Sequence, residues 1–363
     1  MSLPTKKTIS ILSGDGIGPE VMEQTIRIIK KIETKYNHEF TLNHAYIGGA
    51  AFEKYGCHFP EVTLQICKNS DAILFGSVGG PISESHEAKW KDCEKNSILA
   101  LRKNFRFSSN IRPAKVYPEL QDICPLKESV IGKNGIDIVI VRELLGDIYF
   151  GEHKSYIIDN IRKAHDISEY DEKQIEIVAH QSFKLARLRK NKVTSVDKAN
   201  VLDTSKLWRT ILNEVAKEYP DVTLDHMLVD NCAMQFFINP SQFDVLVTSN
   251  LFGDILSDAA AAIPGSLGLM PSASFNLEGF ALYEPSGGSA PQIAGKNIAN
   301  PIAQILSFAM LLKQSFHLIE ESNAIEHAVH STLKAGYRTQ DICLNKSNSI
   351  STSEITDKIL NFI

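Results

Sequence analysis

The sequence has few of the features that mark secreted, membrane or zinc-binding proteins. Its 363 residues include six cysteines, and no two of them form a C-x-x-C pair. This pattern argues against a disulfide framework or a cysteine zinc site. No stretch approaches the roughly 18 apolar residues of a membrane span, and the apolar run 9–12 is too short for the core of a signal peptide. We therefore expect a cytoplasmic protein.

The sequence also has no excess of positive charge. It holds 38 Lys and Arg residues against 43 Asp and Glu residues, which gives a formal net charge of −5. This balance argues against nucleic acid or an anionic membrane as a partner, because both attract basic surfaces. A local group of arginines could still bind a small anionic substrate. The length and the hydrophobic content of 43% allow two domains with sizeable cores.

Strand-like apolar runs alternate with helical patterns along the chain. The predicted strands are 7–12, 40–47, 71–78, 136–143, 192–197, 223–229, 243–249 and 280–284. The predicted helices are 17–35, 96–104, 171–190, 203–218, 252–263, 301–316, 320–335 and 352–361. The last helix follows Ser351 with Glu354 at the spacing of a capping box. The alternation predicts an α/β protein whose sheet is covered by helices.

The first predicted strand is followed by a glycine-rich turn, 14–19, with the sequence GDGIGP. It differs from the dinucleotide fingerprint G-x-G-x-x-G, which offers free backbone N–H groups to a phosphate at a helix start. Asp15 adds a negative charge to the turn, and Pro19 removes a donor. The pattern favours a structural turn, with phosphate binding as the alternative.

Three aspartates indicate a metal site. Asp254 and Asp258 are four residues apart in a predicted helix and therefore share one face, where like charges are unfavourable without a counter-ion. Asp230 follows an apolar run. Carboxylates from a helix face and a strand end suit a hard ion such as Mg²⁺ or Mn²⁺. The alternative is that the two helical aspartates are simply solvated.

Three arginines lie in or beside predicted elements and could bind carboxylates with paired hydrogen bonds, namely Arg102, Arg112 and Arg142. Arg142 ends the apolar strand IDIVIV, so it points to the edge where α/β sheets bind ligands. Each could instead form a surface ion pair. Lys198 and Tyr149 are candidate proton-transfer groups.

Several longer motifs resemble one family. In order, the sequence contains GDGIGPE, FGSVGGP, LRKNF, IRPAKV, VRELLGDIYFGE, SVDKANVL, SNLFGDILSD, YEPSGGSAPQIAGKNIANP and GYRT. The chain is similar over essentially its whole length to the β-decarboxylating dehydrogenases, which include isocitrate and isopropylmalate dehydrogenases.

The resemblance implies two open α/β domains built from non-contiguous chain, rather than a Rossmann fold. The expected first domain comprises 1–108 and 262–363, and the second comprises 109–261 with a dimer-forming arm near 150–170. The resemblance also implies NAD, Mg²⁺ or Mn²⁺, and a homodimer with shared active sites. The implied cofactor contacts are Gly80, Pro81, Glu94, Gly288, Ser289, Ala290, Pro291, Gln292, Ile293, Ala294, Gly295 and Asn300.

The resemblance also assigns chemical roles. The arginines Arg102, Arg112 and Arg142 would hold the substrate's two carboxylates. The aspartates Asp230, Asp254 and Asp258 would bind the metal, with Asp230 also near the substrate. Lys198 would accept the hydroxyl proton, and Tyr149 would protonate the enolate left after CO₂ departs. Lys198 and Asp230 would come from the other subunit.

Ile98 and Leu99 precede Arg102 and present apolar side chains where isocitrate-using relatives have polar ones. An isopropyl group gains from such walls, whereas a third carboxylate would lose its partners. Within the family this favours 3-isopropylmalate as the substrate, and the resemblance then implies its conversion to 4-methyl-2-oxopentanoate in leucine biosynthesis. The alternatives are isocitrate, malate or tartrate as substrate, or a silent scaffold that lacks activity.

The chain departs from the family pattern at three positions. Gln292 stands where NAD users have an aspartate that repels the 2′-phosphate of NADP. Leu145 and Asp147 replace a threonine and a glycine near Arg142 and Tyr149. We expect weaker discrimination against NADP, and lower substrate affinity from the charge of Asp147.

Overall fold

The computed structural model describes residues 4–133 and 135–363. Within them, strands and helices alternate as the sequence predicts. The strands are β1 Lys6–Gly14, β2 Glu39–His44, β3 Ala72–Ser77, β4 Ser109–Lys115, β5 Asp137–Glu143, β6 His153–Ile158, β7 Ile161–Asp166, β8 Lys192–Asp197, β9 Thr223–Leu228, β10 Val245–Thr248, β11 Pro271–Phe275 and β12 Ala281–Pro285. The helices are α1 Gly18–Tyr36, α2 Gly49–Tyr55, α3 Glu61–Lys68, α4 Ala100–Phe105, α5 Glu128–Ile131, α6 Glu172–Arg187, α7 Asp203–Ala216, α8 Val229–Ile238, α9 Asn250–Ala261, α10 Ile302–Gln314, α11 Ile319–Lys334 and α12 Thr352–Phe362.

The chain divides into two compact units, each built from separate stretches. The first unit comprises Met1–Phe105, Tyr117–Cys124 and Pro264–Ile363, and the second comprises Arg106–Val116 and Pro125–Ile263. The short stretch Tyr117–Cys124 lies inside the predicted second domain but packs with the first unit. Leu120 is the physical reason, because its side chain is fully buried in the first unit's core.

The first unit is a helix-covered sheet with strand order β2-β1-β3-β12-β11. β11 runs antiparallel to β12, and the other pairs are parallel. All six residues of β3 are buried, as expected for a parallel strand with helices on both faces. The core also takes apolar side chains from α1, α10, α11 and α12.

The second unit has the strand order β4-β5-β10-β8-β9. β4 is antiparallel to β5, and the remaining pairs are parallel. Phe183 of α6 and Trp208 of α7 are buried in its core. Because β5, β10 and β8 are parallel, their carboxyl ends share one edge, which is where α/β sheets place ligand-binding groups.

A separate hairpin, β6–β7, lies within the arm predicted near 150–170. Its two antiparallel strands are joined at Asp159 and Asn160, both with positive φ, the conformation of a tight two-residue hairpin turn. Its side chains are mostly exposed, so no buried alternating pattern marked these strands in the sequence.

The fold confirms the predicted α/β class, and the capping box of Ser351 and Glu354 begins α12. Several elements were not predicted from the sequence, among them β4, which contains Pro113, and β11. Helix α8 was not predicted either; it follows β9 directly, so Asp230 lies in the first turn of a helix. None of the described helices is both long and apolar enough to cross a membrane.

Candidate active site

The central element of the second unit's site is helix α9, which begins directly after β10. Asp254 and Asp258 lie one turn apart on it, as the sequence predicts. Ser249 precedes the helix, and its side chain accepts no hydrogen bond from the first N–H groups of the helix that the structure describes. The first N–H groups are bound from outside instead: Asn250 N donates to Tyr170 Oη at 2.9 Å and Leu251 N to Asp147 Oδ2 at 3.0 Å. These contacts fix the position of the helix that carries both carboxylates.

Arg142, at the end of β5, is buried against α9. Its Nε and Nη2 donate to Asn250 Oδ1 at 3.0 and 2.8 Å, and its Nη1 donates to Asp254. The guanidinium reaches the helix because residue 253 is glycine, and a Cβ there would lie 2.7 Å from Arg142 Cγ. The hydroxyl of Tyr149 donates to the other oxygen of Asp254 at 2.7 Å. The structure therefore brings together three of the predicted site residues, with Arg142 and Tyr149 bound to the carboxylate of Asp254.

Arg112, on β4, faces the same helix. Its Nη1 donates to Ser257 Oγ at 2.7 Å and lies 3.5 Å from Asp258 Oδ1, while Nη2 is 3.8 Å from Asp254 Oδ1. Burial raises the pKa of the Asp258 carboxyl; Arg112 opposes this shift, and the neighbouring Asp254 adds to it. Two cations and two carboxylates thus neutralise one another at this edge.

Lys198 and Asp230 form a separate pair after the ends of β8 and β9. Lys198 Nζ lies 2.5 Å from Asp230 Oδ1, and this hydrogen bond lowers the pKa of Asp230. Among the residues that the structure describes, no three His, Cys, Asp or Glu side chains group as a metal site. One chain therefore brings together only Asp254 and Asp258 of the three predicted metal ligands.

Arg102 and the apolar residues before it belong to the first unit. Ile98 is buried and Leu99 is half-buried in a π-helical turn, Lys95–Leu99, that leads into α4, and such turns are frequent at functional sites. Arg102 Nη2 donates to Glu284 Oε1 at 3.1 Å. Its buried Nε makes no hydrogen bond to the described residues.

The glycine-rich turn at the start of α1 contacts the loop predicted to bind the cofactor. Ile17 N donates to Ser289 O at 2.8 Å, and a Cβ on Gly16 would lie 2.0 Å from that oxygen. Asp15 accepts hydrogen bonds from the N–H groups of Gly49, Ala50 and Gly79. The carboxylate therefore holds neighbouring loops together, which supports the structural interpretation of this turn.

A cavity of about 210 Å³ lies beside this turn, within the first unit. Of the predicted cofactor contacts, those that line it are Gly288, Ala290, Ile293 and Asn300. Gln292 and Glu94 are exposed, and Gly80 and Pro81 are half-buried. Ile17 and Gln304 also line the cavity, although the sequence analysis assigned them no contact.

Comparison with known proteins identifies the family of this chain. The model of the isocitrate/isopropylmalate dehydrogenase family matches residues 8–359. The chain belongs to this family. It is 51% identical to 3-isopropylmalate dehydrogenase of Thermotoga maritima over 97% of both chains, and 50% identical to that of Escherichia coli over 98% of this chain and 97% of the relative. The crystal structure of isocitrate dehydrogenase from Methylococcus capsulatus superposes with a TM-score of 0.86 at 32% identity, covering 98% of this chain and 99% of that one.

Asp147, one of the departures from the family pattern, has φ +69°. Its carboxylate accepts hydrogen bonds from Leu251 N, Ile148 N and Ser168 Oγ at 2.7–3.0 Å. The charge that we expected to weaken substrate binding thus faces three donors, one of them at the start of α9. Leu145, the second departure, is half-buried and donates its N–H to Glu143.

Glu143 was missed by the sequence analysis and lies beneath this network. It is fully buried and accepts from Gly146 N and from Tyr170 Oη, both at 2.9 Å. Burial raises its pKa to about 7, although these hydrogen bonds lower it. The acid directly after Arg142 in a buried strand was the available signal, because such an acid needs partners.

Proposed function

We propose that this chain oxidises and decarboxylates 3-isopropylmalate to 4-methyl-2-oxopentanoate and CO₂, with NAD as the hydride acceptor, in leucine biosynthesis. The observation that carries the proposal is the cluster of Arg112, Arg142, Tyr149, Asp254 and Asp258 at one edge of a parallel sheet. About 50% identity to named 3-isopropylmalate dehydrogenases over nearly the full length supports the substrate.

The donor set of this cluster fits a divalent cation. Asp254 and Asp258 offer hard carboxylate oxygens, which Mg²⁺ and Mn²⁺ prefer. The pKa of Asp258 is raised by burial, and the carboxylate of Asp254 adds to the shift. A cation between the two would remove this electrostatic cost. Members of this family are metal-dependent dehydrogenases, and we propose Asp254, Asp258 and Asp230 as the metal ligands.

When bound, the metal would act as a Lewis acid toward the substrate's oxygens, and NAD would take the hydride. Arg112 and Arg142 would orient a substrate carboxylate with their planar guanidinium groups, and we propose Arg102 as the third arginine of the clamp. Lys198 Nζ would accept the hydroxyl proton. Tyr149 Oη, already positioned by Asp254, would donate a proton to the carbon left after CO₂ departs.

We further propose a homodimer in which Lys198 and Asp230 act in the site of the other subunit. Apolar side chains on α8 and α9 support this, because Phe237 and Ile255 are 47% and 59% exposed. The hairpin β6–β7 exposes Ile157 and Ile161 by 68% and 60%. Exposed apolar groups of this kind mark protein–protein interfaces. A cytoplasmic location fits the six cysteines, none of which is in a disulfide.

The loop Gly288–Asn300 and the stretch from Gly80 to Glu94 are proposed to hold NAD. The cavity beside the loop supports this, since four of the proposed contacts line it and most of its wall is apolar. Such concave, mostly apolar pockets are typical of cofactor sites.

The proposal is tested by steady-state kcat/KM for 3-isopropylmalate with NAD and with NADP in the presence of Mg²⁺, with isocitrate, malate and tartrate as competing substrates. We expect turnover of 3-isopropylmalate with NAD to exceed that of the other substrates by at least about a hundredfold, because an apolar pocket rejects the third carboxylate of isocitrate, and malate and tartrate lack the isopropyl group that gains from burial there. Preferred turnover of isocitrate would overturn the substrate assignment, and no turnover would favour the silent scaffold.

A further inference from the structure

The cavity in the first unit has mostly apolar walls, and one buried side-chain amide in its wall has no hydrogen-bond partner among the described residues. Residues of α1, of α10 and of the loop Gly288–Asn300 line it, together with Ile17 and Leu267. Its wall is mostly apolar, so it suits an uncharged ring better than a charged group.

Gln304, in the first turn of α10, lines this cavity and is 1% exposed. Neither its Nε2 nor its Oε1 has a hydrogen-bond partner within residues 4–133 and 135–363. Buried amides are almost always hydrogen-bonded, because an unmet donor or acceptor is unfavourable. An amide with both groups unmet beside a cavity therefore indicates a ligand that supplies an acceptor and a donor side by side.

The other polar side chains around the cavity already have partners. Asn300 Nδ2 donates to Asp341 Oδ2 at 3.0 Å, and its Oδ1 accepts from Ile302 N at 3.0 Å. Ser266 also donates to Asp341, and Ser77 donates to Asp15 O. Gln304 is the polar side chain of this wall that remains available to a ligand among the described residues.

We propose that Gln304 recognises the adenine ring of the cofactor, an inference that rests on the proposed use of NAD. Adenine presents its 6-amino group beside a ring nitrogen, and a glutamine amide pairs with this edge through two hydrogen bonds. The nicotinamide ring of NAD⁺ also carries an amide, but its positive charge would be poorly solvated in an apolar cavity. Gln304 is therefore a specificity-determining residue at the adenine end of the cofactor.

The test is calorimetric binding of ADP and of purine riboside 5′-diphosphate, which lacks only the 6-amino group, to the full-length protein. We expect the wild type to bind ADP about tenfold or more tightly, as a two-bond amide–base contact provides. Gln304→Leu, of similar volume, should bind both ligands equally. Gln314→Leu is the matched control, because Gln314 lies on the same helix and also has an unmet buried Oε1 but does not line the cavity. It should keep the wild-type preference.

Three results would overturn the inference: equal binding of the two ligands by the wild type, an unchanged preference in Gln304→Leu, or binding of nicotinamide mononucleotide that Gln304→Leu weakens. If Gln304→Leu does not fold, Gln304→Met with the same ligand pair decides. The assay needs no turnover. An enzyme that turns over 3-isopropylmalate with NAD but fails this test refutes the role of Gln304 alone, whereas loss of both turnover and ADP binding refutes the proposed function as well.

Discussion

The carboxylate cluster on α9 and the cavity beside α10 are built in opposite ways. In the cluster, Arg142 and Tyr149 both donate hydrogen bonds to the carboxylate of Asp254. In the cavity, the Gln304 amide has no partner among the described residues. A ligand entering the cluster must replace existing contacts, whereas a ligand entering the cavity adds contacts that are missing.

This difference fits the two kinds of ligand. In the absence of a charged substrate, the charged groups of the cluster form ion pairs with one another, because an unpaired buried charge is strongly unfavourable. An unpaired neutral amide beside an apolar cavity has a smaller free-energy cost than an unpaired charge, and it can select a ligand that supplies the missing hydrogen bonds. Changes in the cluster should therefore alter the rate and stability strongly, and changes around the cavity should alter the affinity for the proposed cofactor.

The largest effect is expected when the cluster loses its central charge. Asp254→Asn removes a proposed metal ligand and the partner of Arg142 and Tyr149. Its kcat/KM with saturating Mg²⁺ should fall by more than the roughly 10–100-fold typical of outer-shell groups. Asp203→Asn, on the surface with an exposed side chain, is the control. A loss of kcat/KM below about tenfold would refute the proposal that Asp254 is a metal ligand.

Glu143, which is buried directly after Arg142 in β5, should make the free energy of unfolding depend on pH. Its pKa is raised from 4.5 to about 7 in the folded state, so folding takes up a proton between these values and stability falls as pH rises. The shift corresponds to about 3 kcal/mol. Relative to Glu143→Gln, the wild type should lose about that much unfolding free energy between pH 4.5 and 8, measured by urea denaturation.

The exposed Glu176 of α6 provides the control for this pH effect. Glu176→Gln should leave the pH dependence of the unfolding free energy unchanged, because this side chain is exposed to solvent and lies outside the buried network of Glu143. A constant difference between wild type and Glu143→Gln from pH 4.5 to 8 would show that Glu143 is charged throughout.

Tyr149→Phe tests proton donation without disturbing charge. The variant keeps the ring over which Arg142 lies at 5.4 Å and removes only the hydroxyl. We expect kcat to fall about a hundredfold with little change in KM, as for loss of a general acid. Tyr46→Phe, at an exposed position in the first unit, should be neutral. A change confined to KM would mean that the hydroxyl only helps binding.

Much of this architecture could be predicted from the sequence, because central parallel strands are continuous apolar runs. Hairpin β6–β7 could not be predicted, since its side chains are largely exposed in one chain. Helix α8 could not be predicted either, since it begins directly after β9 and no break in the sequence separates the two elements. The cluster was predicted from Asp254, Asp258 and the arginines. Gln304 was not, because a glutamine in an apolar helix gives no sign that its amide lacks partners until the cavity is seen.

Asp147 should contribute a smaller effect through its bond to the start of α9. Asp147→Ala removes the hydrogen bond that caps α9. It also leaves a residue with a Cβ but no polar side chain in the left-handed conformation, at φ +69°. We therefore expect the free energy of unfolding to fall by about 2 kcal/mol. Asp147→Gly relieves the backbone and should lose only about 1 kcal/mol. Asp159→Gly, at φ +52° in the hairpin turn, is the matched control and should not destabilise. Equal unfolding free energies for Asp147→Gly and the wild type would refute the capping role.

The smallest effect is expected at Gln292, an exposed residue in the loop that is proposed to hold the cofactor. Gln292→Asp introduces a negative charge where NADP would carry its 2′-phosphate, and Gln292→Asn is the neutral control. Because the position is exposed, the repulsion should be about 1 kcal/mol, or about fivefold in the ratio of kcat/KM for NAD to that for NADP. Screening by salt should reduce this gain, since the Debye length falls to about 3 Å at 1 M. A gain that persists at 1 M salt would mean that the introduced carboxylate acts by a hydrogen bond to the ribose, and an equal gain in Gln292→Asn would exclude charge as the discriminator.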